Sequence, residues 1–391
     1  MPQRFSLSHR ISKIEESGTF SINEIAVNLK NQGKDVINLS VGEPDFNTPS
    51  HIIKAATKAM YDGHTHYTSM AGIPELKSAI AKKFKENDID VESNEVIVTA
   101  GAKQAIFEVA LTVLDKGDEA ILFDPAWVSY KQCINFVGAK TVWAKTDENF
   151  IPYDFTELVN NNTKLIVLNS PCNPTGVVYG KDTLNMISDI AKDHDILVLS
   201  DEIYEKILYN GTHLSIGSFD GMENRTITVN GFSKAYAMTG WRLGYATAPP
   251  DILNGMHKIQ QHSTSCANSF AQYGALEALN ASQKATHDML DEFKERRDIL
   301  VDGFNSMGVK CETPAGAFYL FVDVSQFNTN VSDNLFIGDV IANTLLNNGF
   351  VATVPGSVFG PDSGNYIRIS YAISKERINE ALDRIGAVFN L

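Results

Sequence analysis

The sequence predicts an α/β protein: a mostly parallel β-sheet with helices on both faces, and a smaller α+β part beside it. Between about residues 50 and 231, short β-branched or leucine-rich runs alternate with stretches of helical periodicity, the pattern of successive strand–helix–strand units. After about residue 275 that alternation gives way to long amphipathic helices mixed with single strands. Length agrees, because 391 residues exceed what one hydrophobic core usually holds and allow about two domains.

In chain order, the segment before VGEPDF (41–46) opens as a helix followed by a strand and is expected to accompany the C-terminal part. SHIIKAATKAMYDG (50–63) and IPELKSAIAKKFKEN (73–87) carry helical periodicity, EVIVTA (95–100) is a short apolar strand, and KQAIFEVALTVLDKGD (103–118) is again helical. EAILFD (119–124), TVWA (141–144), KLIVLNS (164–170), ILVLSDE (196–202) and TITVNG (226–231) read as strands, with the helix KDTLNMISDIAKDHD (181–195) among them. HDMLDEFKERRDILVDGFNSM (287–307) starts the second pattern, whose strands are GAFYLFVDV (316–324) and YIRISYA (366–372). The expected division is a large domain over 47–280 and a small domain made of 1–46 and 281–391, with a ligand cleft between them.

Composition narrows the function. Hydrophobic residues make up 43% and charged residues 20%, the balance of a soluble globular chain. A formal net charge of −14 repels nucleic acid and anionic membranes, so an anionic ligand must be held by a few local cations and backbone amides. Cysteines at 133, 172, 266 and 311 share no short spacing and read as small buried thiols in a reducing compartment. The histidines complete no metal-binding motif, so no metal is expected. The N-terminus lacks an apolar signal core and no apolar run reaches the roughly 20 residues of a membrane helix; a cytoplasmic protein is expected.

In open α/β sheets a ligand sits beyond the carboxyl ends of the strands, so the residues after each apolar run form one candidate set. Gly101, Ala102 and Lys103 follow the first strand and open a helix, where backbone N–H groups can meet a phosphate. Trp127 follows the second, either as a stacking ring or as core. Asn173 lies in the turn PCNPTG, aimed outward or capping the turn. Asp201 ends a buried strand, where a carboxylate needs a cationic or N–H partner, and Tyr204 stands three residues on. Lys234, in VNGFSKAYAMTGWRLGYA (229–246), has no charged sequence neighbour until Arg242. Such a lysine is a turn residue snorkelling to water, or a buried amine that loses its proton and attacks an aldehyde.

Together these residues offer partners for a phosphate, a planar ring, a ring nitrogen, a phenolic oxygen and an aldehyde, the functional groups of pyridoxal 5′-phosphate. In SKAYAMTGWRLGY, NPTG and SDEIY, in that order, the chain resembles the fold-type I, class I aminotransferases of the aspartate aminotransferase family. VGEPDF, HYTSMAGIPELKSAI, GAKQAIF, GAFY and YIRIS extend the resemblance over essentially the whole sequence.

The resemblance implies a seven-stranded sheet in the large domain and a role for each residue. Lys234 forms the Schiff base with the cofactor and shuttles a proton at the substrate Cα. Asp201 keeps the pyridine nitrogen protonated, Asn173 and Tyr204 bond the phenolic oxygen, and Trp127 stacks on the ring and borders the substrate. Arg242 and the amides after Gly101, those of Ala102 and Lys103, hold the phosphate, with Tyr67 reaching in from the partner subunit of a homodimer. Arg368, which read by itself is a surface strand arginine, forks the substrate α-carboxylate with help from Gly42 and Asn173. The family often has serine three residues before the lysine, where this chain has Gly231, so a phosphate hydroxyl is missing.

Lys103 and Thr19 match the prokaryotic aspartate/prephenate-type subgroup, which implies an acidic amino donor and 2-oxoglutarate as acceptor. An aromatic or kynurenine-type aminotransferase and a carbon–sulfur β-lyase share the same fold and compete with that reading. A non-catalytic cofactor-sensing regulator is a further alternative, although the chain has no basic N-terminal module for DNA.

Overall fold

Apolar runs and helix-period stretches fold into the elements they predict, and one unexpected strand completes the main sheet. The computed structural model describes residues 6–309, 311–327 and 336–389. The helices are α1 (Gly18–Asn31), α2 (Ser50–Tyr61), α3 (Pro74–Lys85), α4 (Ala102–Val113), α5 (Val128–Val137), α6 (Lys181–Asp193), α7 (Pro250–Ser263), α8 (Ser269–Asn280), α9 (Lys284–Ser306), α10 (Ile337–Thr344) and α11 (Lys375–Phe389). The strands are β1 (Ile37–Asn38), β2 (Val96–Thr99), β3 (Glu119–Phe123), β4 (Lys140–Ala144), β5 (Thr163–Asn169), β6 (Leu197–Asp201), β7 (Thr226–Gly231), β8 (Gly244–Thr247), β9 (Tyr319–Asp323), β10 (Val351–Ala352), β11 (Val354–Pro355) and β12 (Tyr366–Ser370).

Seven strands form the main sheet in the order β2-β8-β7-β6-β5-β3-β4. Pairs from β7 through β6, β5 and β3 to β4 are parallel, while β8 runs antiparallel to both β7 and β2. Leu184, Ile187, Ile190 and Ala191 of α6 lie on one stripe and are buried, the spacing by which a helix covers a sheet face. They join one core cluster with Ile166, Leu168 and Val198 of the sheet. On the opposite face, α4, α5 and α7 pack against Ile97, Leu122, Leu165 and Val229. Residues alternating along each strand feed both layers, which is why the runs read as continuous apolar stretches.

β8 escapes a sequence reading because GYAT is short and carries one large apolar side chain. Its glycine is required by contact. A Cβ on Gly244 would lie 2.3 Å from the Ala102 nitrogen, and one on Gly231 would lie 3.0 Å from the Gly244 Cα. Two bare Cα positions therefore let β7, β8 and the start of α4 close together. A side chain at 231 would also lie 3.0–3.1 Å from Gly244 Cα, Ile203 and the Leu243 carbonyl, tighter than ordinary contact, so glycine suits this position.

The other sheets are small. β11-β12-β9 is antiparallel, and β1 pairs in parallel with β10. Phe293, Leu300 and Phe304 of α9 pack on Phe318, Leu320 and Ile369, and the same core takes in Tyr204 and Ile207 from the turn after β6. That shared core fixes the strand ends of the main sheet against the C-terminal elements. Among the described residues, no helix is long and apolar enough to cross a membrane.

Candidate active site

A cavity of about 540 Å³ opens at the carboxyl ends of β5, β6 and β7. Its floor is Asn169, Asp201 and Lys234; its walls include Ser40, Gly42 and Thr19 from the N-terminal segment, Lys103 and Trp127 from the starts of α4 and α5, and Tyr319 and Arg368 from β9 and β12. All the cavity residues anticipated from the sequence, except Gly101 and Tyr67, line it; Gly101 lies directly behind Arg242.

Lys234 is half-buried and donates from Nζ to the Gly42 carbonyl at 2.5 Å. Its pKa falls to about 8, mainly through burial, with the charges of Arg368 and Arg242 acting in the same direction and those of Glu43 and Asp201 against it. The neighbours of this lysine in the chain are uncharged, yet in space four charged groups surround it. That arrangement favours an amine that sheds its proton near neutral pH over one that snorkels to water.

Asp201 is 3% exposed. Its Oδ2 accepts a hydrogen bond from Tyr130 Oη at 2.6 Å and its Oδ1 accepts the Ile203 N–H at 3.2 Å. Burial pushes its pKa up to about 6, and the Tyr130 bond pulls the other way. A cation placed beside it would restore full ionisation. Behind this turn Glu202 accepts from Ser200 and Ser215 and contacts His213 Nε2 at 2.9 Å, while Glu205 pairs with the buried Lys83 at 2.7 Å. These contacts hold residues 201–205 from the rear, so Asp201 and Tyr204 face the cavity.

Tyr204 shares a hydrogen bond of 2.8 Å with Tyr319 Oη. A Cβ on Gly42 would lie 2.6 Å from that same Tyr319 oxygen, so glycine at 42 lets the N-terminal loop close over the two phenols. The Asn173 N–H donates to Asn169 Oδ1 at 2.9 Å, and its own Oδ1 accepts from Arg368 Nη1 at 3.0 Å.

Arg368 is not the surface residue that its strand alternation suggested. It is 2% exposed, Nη2 donates to the Ser40 carbonyl at 2.6 Å, and its guanidinium carbon lies 4.6 Å from the Tyr319 ring centroid. Its Nε has no partner and, among the described residues, no carboxylate pairs with it. β12 is buried on both faces, with Ile367 and Ile369 toward the core and Arg368 toward the cavity. A buried guanidinium with a free donor and no counter-charge is poised for an anion.

At the opposite end, α4 begins directly after Gly101, which has φ +90° and no side-chain cap above it. A Cβ on Gly101 would lie 2.7 Å from Arg242 Nη2, and Arg242 itself donates to the Thr239 carbonyl at 2.9 Å. Free N–H groups, the positive end of a helix and a guanidinium thus meet where a glycine leaves room. Lys103, exposed at the cavity mouth, sets its Nζ 4.8 Å from the Trp127 ring centroid; partial desolvation of the ammonium lowers its pKa and the Arg242 charge adds to that. Thr19 Oγ1 is 3.0 Å from Ser17 Oγ on the cavity wall. Tyr67 is 89% exposed and does not line the cavity of its own chain.

Sequence reasoning passed over Tyr319, Tyr130, Ser40 and Ser233, all of which line the cavity. Ser233, adjacent to Lys234, supplies a hydroxyl on the wall where Gly231 cannot. Tyr130 lies three residues after Trp127, close to one helical turn, a spacing that could have flagged it; Tyr319 and Ser40 carry no such local signal.

These groups suit pyridoxal 5′-phosphate: a glycine-lined cradle with amides and a guanidinium for the phosphate, a buried carboxylate for the ring nitrogen, and an amine of lowered pKa for the aldehyde. Comparison with known proteins agrees. The family described as Aminotransferase class I and II matches residues 34–385. A probable aspartate aminotransferase of Methanocaldococcus jannaschii is 43% identical over 98% of this chain and 100% of its own length. An aspartate/prephenate aminotransferase of Thermus thermophilus is 40% identical over 98% of each chain. The solved structure of the Thermus thermophilus aspartate aminotransferase with maleate superposes with a TM-score of 0.93 at 40% identity, covering 98% of this chain and 100% of that one. The chain therefore belongs to the class I and II aminotransferases, enzymes that depend on pyridoxal 5′-phosphate.

Proposed function

We propose that this enzyme moves the α-amino group of an acidic amino acid, aspartate or glutamate, to a 2-oxo acid such as 2-oxoglutarate. One observation carries the choice: Arg368 and Lys103 line the same cavity as Lys234, and neither pairs with a carboxylate among the described residues. Two uncompensated cations on one cavity suit a substrate with two carboxylates. The names of the relatives point the same way, as does the dicarboxylate maleate in the Thermus thermophilus structure.

Bound pyridoxal 5′-phosphate supplies an aldehyde for primary amines and a protonated ring that draws electrons away from the substrate Cα. Gly101, the amides of Ala102 and Lys103, Arg242 and the Ser233 hydroxyl would hold its phosphate, Asp201 its ring nitrogen, Asn173 and Tyr204 its phenolic oxygen, and Trp127 its face. Arg368 binds the α-carboxylate with two N–H donors, assisted by Asn173 and the backbone of Gly42, and so aims Cα at Lys234. Lys234 Nζ takes the Cα proton and returns it, which needs an amine of pKa near the working pH. Lys103 and Thr19 meet the distal carboxylate. The same reading divides the chain into a cofactor-binding domain over 47–280 and a small domain of 1–46 with 281–391, places the enzyme in the cytoplasm, and makes it a homodimer in which Tyr67 completes the partner's phosphate site.

The test mixes purified, cofactor-loaded protein with single amino acids and follows the cofactor absorption through the half-reaction. Aspartate and glutamate are expected to convert it; Lys103→Ala should weaken that response about tenfold or more, the value of a charge-assisted contact, and leave aromatic donors within about threefold. Unchanged aspartate affinity in the variant would remove Lys103 from the acidic pocket. Release of ammonia and pyruvate in place of a 2-oxo acid would reveal a lyase.

A further inference from the structure

Helices α4 and α7 enclose two buried oxygen atoms with no donor. Glu108 is 1% exposed; its Oε1 accepts from Gln104 Nε2 at 2.7 Å, while Oε2 has no partner among the described residues. Gln260 is fully buried, its amide nitrogen donates to the carbonyls of Val98 and Met70, and its Oε1 also has no partner. Turning that amide over would set its oxygen against two carbonyl oxygens.

Helix register sets the two residues at one level of the helix pair. Gln104 Nε2 bonds Thr264 Oγ1 at 2.7 Å, and a Cβ on Gly255 would lie 2.4 Å from Thr112 Cγ2. The helices are thus antiparallel, and one turn inward from the Gln104–Thr264 contact puts Glu108 opposite Gln260. Two buried, unpartnered acceptors at one level of a helix pair are both satisfied if one of them carries a proton that the other accepts.

We propose that Glu108 is a neutral carboxylic acid whose Oε2–H donates to Gln260 Oε1, and that both are positioning residues for the phosphate cradle at the start of α4. The bond closes a partly buried chain that begins at the Ala100 N–H, which donates to Gln104 Oε1, and runs through Gln104, Glu108 and Gln260 to the carbonyls of Val98 and Met70. Its two ends clamp the exit of β2, from which Gly101 springs, and the loop that carries Tyr67. Burial accounts for the proton: it pushes the Glu108 carboxyl up to about 8, opposed by the Gln104 hydrogen bond. The titratable groups turned inward on the elements packed against α4 are His257 of α7, Tyr130 and Cys133 of α5 and Asp201 of β6; Tyr245 of β8 points to the other face of the sheet, and Lys103 of α4 lines the cavity. None of them forms an ion pair with Glu108. Above its pKa a carboxylate would face the amide oxygen and loosen both clamped segments.

The link to cofactor binding rests on the assignment of the phosphate to residues 101–103, so one arm of the test is independent of it. The infrared difference spectrum of wild type against Glu108→Gln at pH 7 should contain the carbonyl band of a protonated carboxyl group, disappearing as pH rises past about 9. Its absence at pH 7 would overturn the proposal. In the second arm, equilibrium titration with pyridoxal 5′-phosphate should give Glu108→Gln an affinity within about threefold of wild type and Glu108→Leu one weaker by about tenfold or more, the cost of orphaned buried partners. From pH 7 to 9 wild type should lose affinity relative to Glu108→Gln. Parallel pH profiles for those two proteins, or full affinity in Glu108→Leu, would also overturn it. If Glu108→Leu fails to fold, the wild-type and Glu108→Gln pair decides. Failure of wild type to bind the cofactor at all would instead refute the cofactor assignment, leaving the infrared arm to judge Glu108.

Discussion

Lys234 is destabilising for the reason that makes it useful. Enclosing its ammonium lowers the pKa to about 8 from an ordinary 10.5, and a pKa depressed on folding means that stability is present in full above the unfolded value and is lost as pH falls through the folded one. At pH 7 the cost is on the order of 1–3 kcal/mol. Lys234→Met keeps the length of the side chain without the charge, so it should raise the unfolding free energy of the cofactor-free protein by about that amount at pH 7, and by progressively less between pH 8 and 10.5. The same variant should lose transamination and the covalent cofactor label left by borohydride. Chemical denaturation at several pH values checks the first outcome, and peptide mapping checks the second. Arg368 has the same character, a buried cation lining the cavity without a carboxylate partner among the described residues, and is expected to serve every donor alike. Arg368→Ala should therefore reduce kcat/KM for aspartate and for aromatic donors in similar proportion, measured side by side.

At the scale of elements, the site depends on how closely β7, β8 and α4 approach. Gly231, Gly244 and Gly101 permit that approach, each where a Cβ would meet backbone or the Arg242 guanidinium. Backbone cannot swing aside as a flexible side chain can, so Gly244→Ala should destabilise the protein by about 1–3 kcal/mol, the range of overpacked cores. It should also weaken cofactor affinity more than the stability loss alone explains, because Ala102 begins the turn proposed to hold the phosphate. Thermal melts and cofactor titration measure the two effects; wild-type behaviour in both would show that the strands can part at little cost. The buried Lys83–Glu205 pair acts on another element boundary, fixing the turn after β6. Glu202, Glu205 and His213 lie close enough to suggest a metal site, but Lys83 and two serine hydroxyls already answer the carboxylates.

The whole molecule presents a further requirement, since Tyr67 is expected in the site yet lies 89% exposed, in a stretch that also leaves Met60, Tyr61 and Met70 at the surface. Exposed apolar residues so concentrated along the chain suit a subunit interface. A dimer that exchanges Tyr67 makes a sharp prediction. Tyr67→Ala and Lys234→Ala proteins, each impaired alone, should regain activity when unfolded and refolded together, because half of the sites in a mixed dimer would carry neither change. No recovery, with mixed dimers verified by mass spectrometry, would place Tyr67 outside the partner's site.

Much of this was legible in the chain because parallel strands buried on both faces read as uninterrupted apolar runs, and because ligand-binding residues follow such runs at the sheet's carboxyl edge. Lys234, Asp201, Asn173 and Arg242 could be named from those positions. Tertiary structure alone decided what is made by contact between distant segments: the antiparallel β8 that GYAT conceals, the burial of Arg368, the Tyr319 partner of Tyr204, and the unpartnered buried oxygens of Glu108 and Gln260. The physical reason is that local sequence sets dihedral preference and the side of an element a residue occupies. Whether a charge on that side meets water, a counter-ion or nothing depends on which other element packs there.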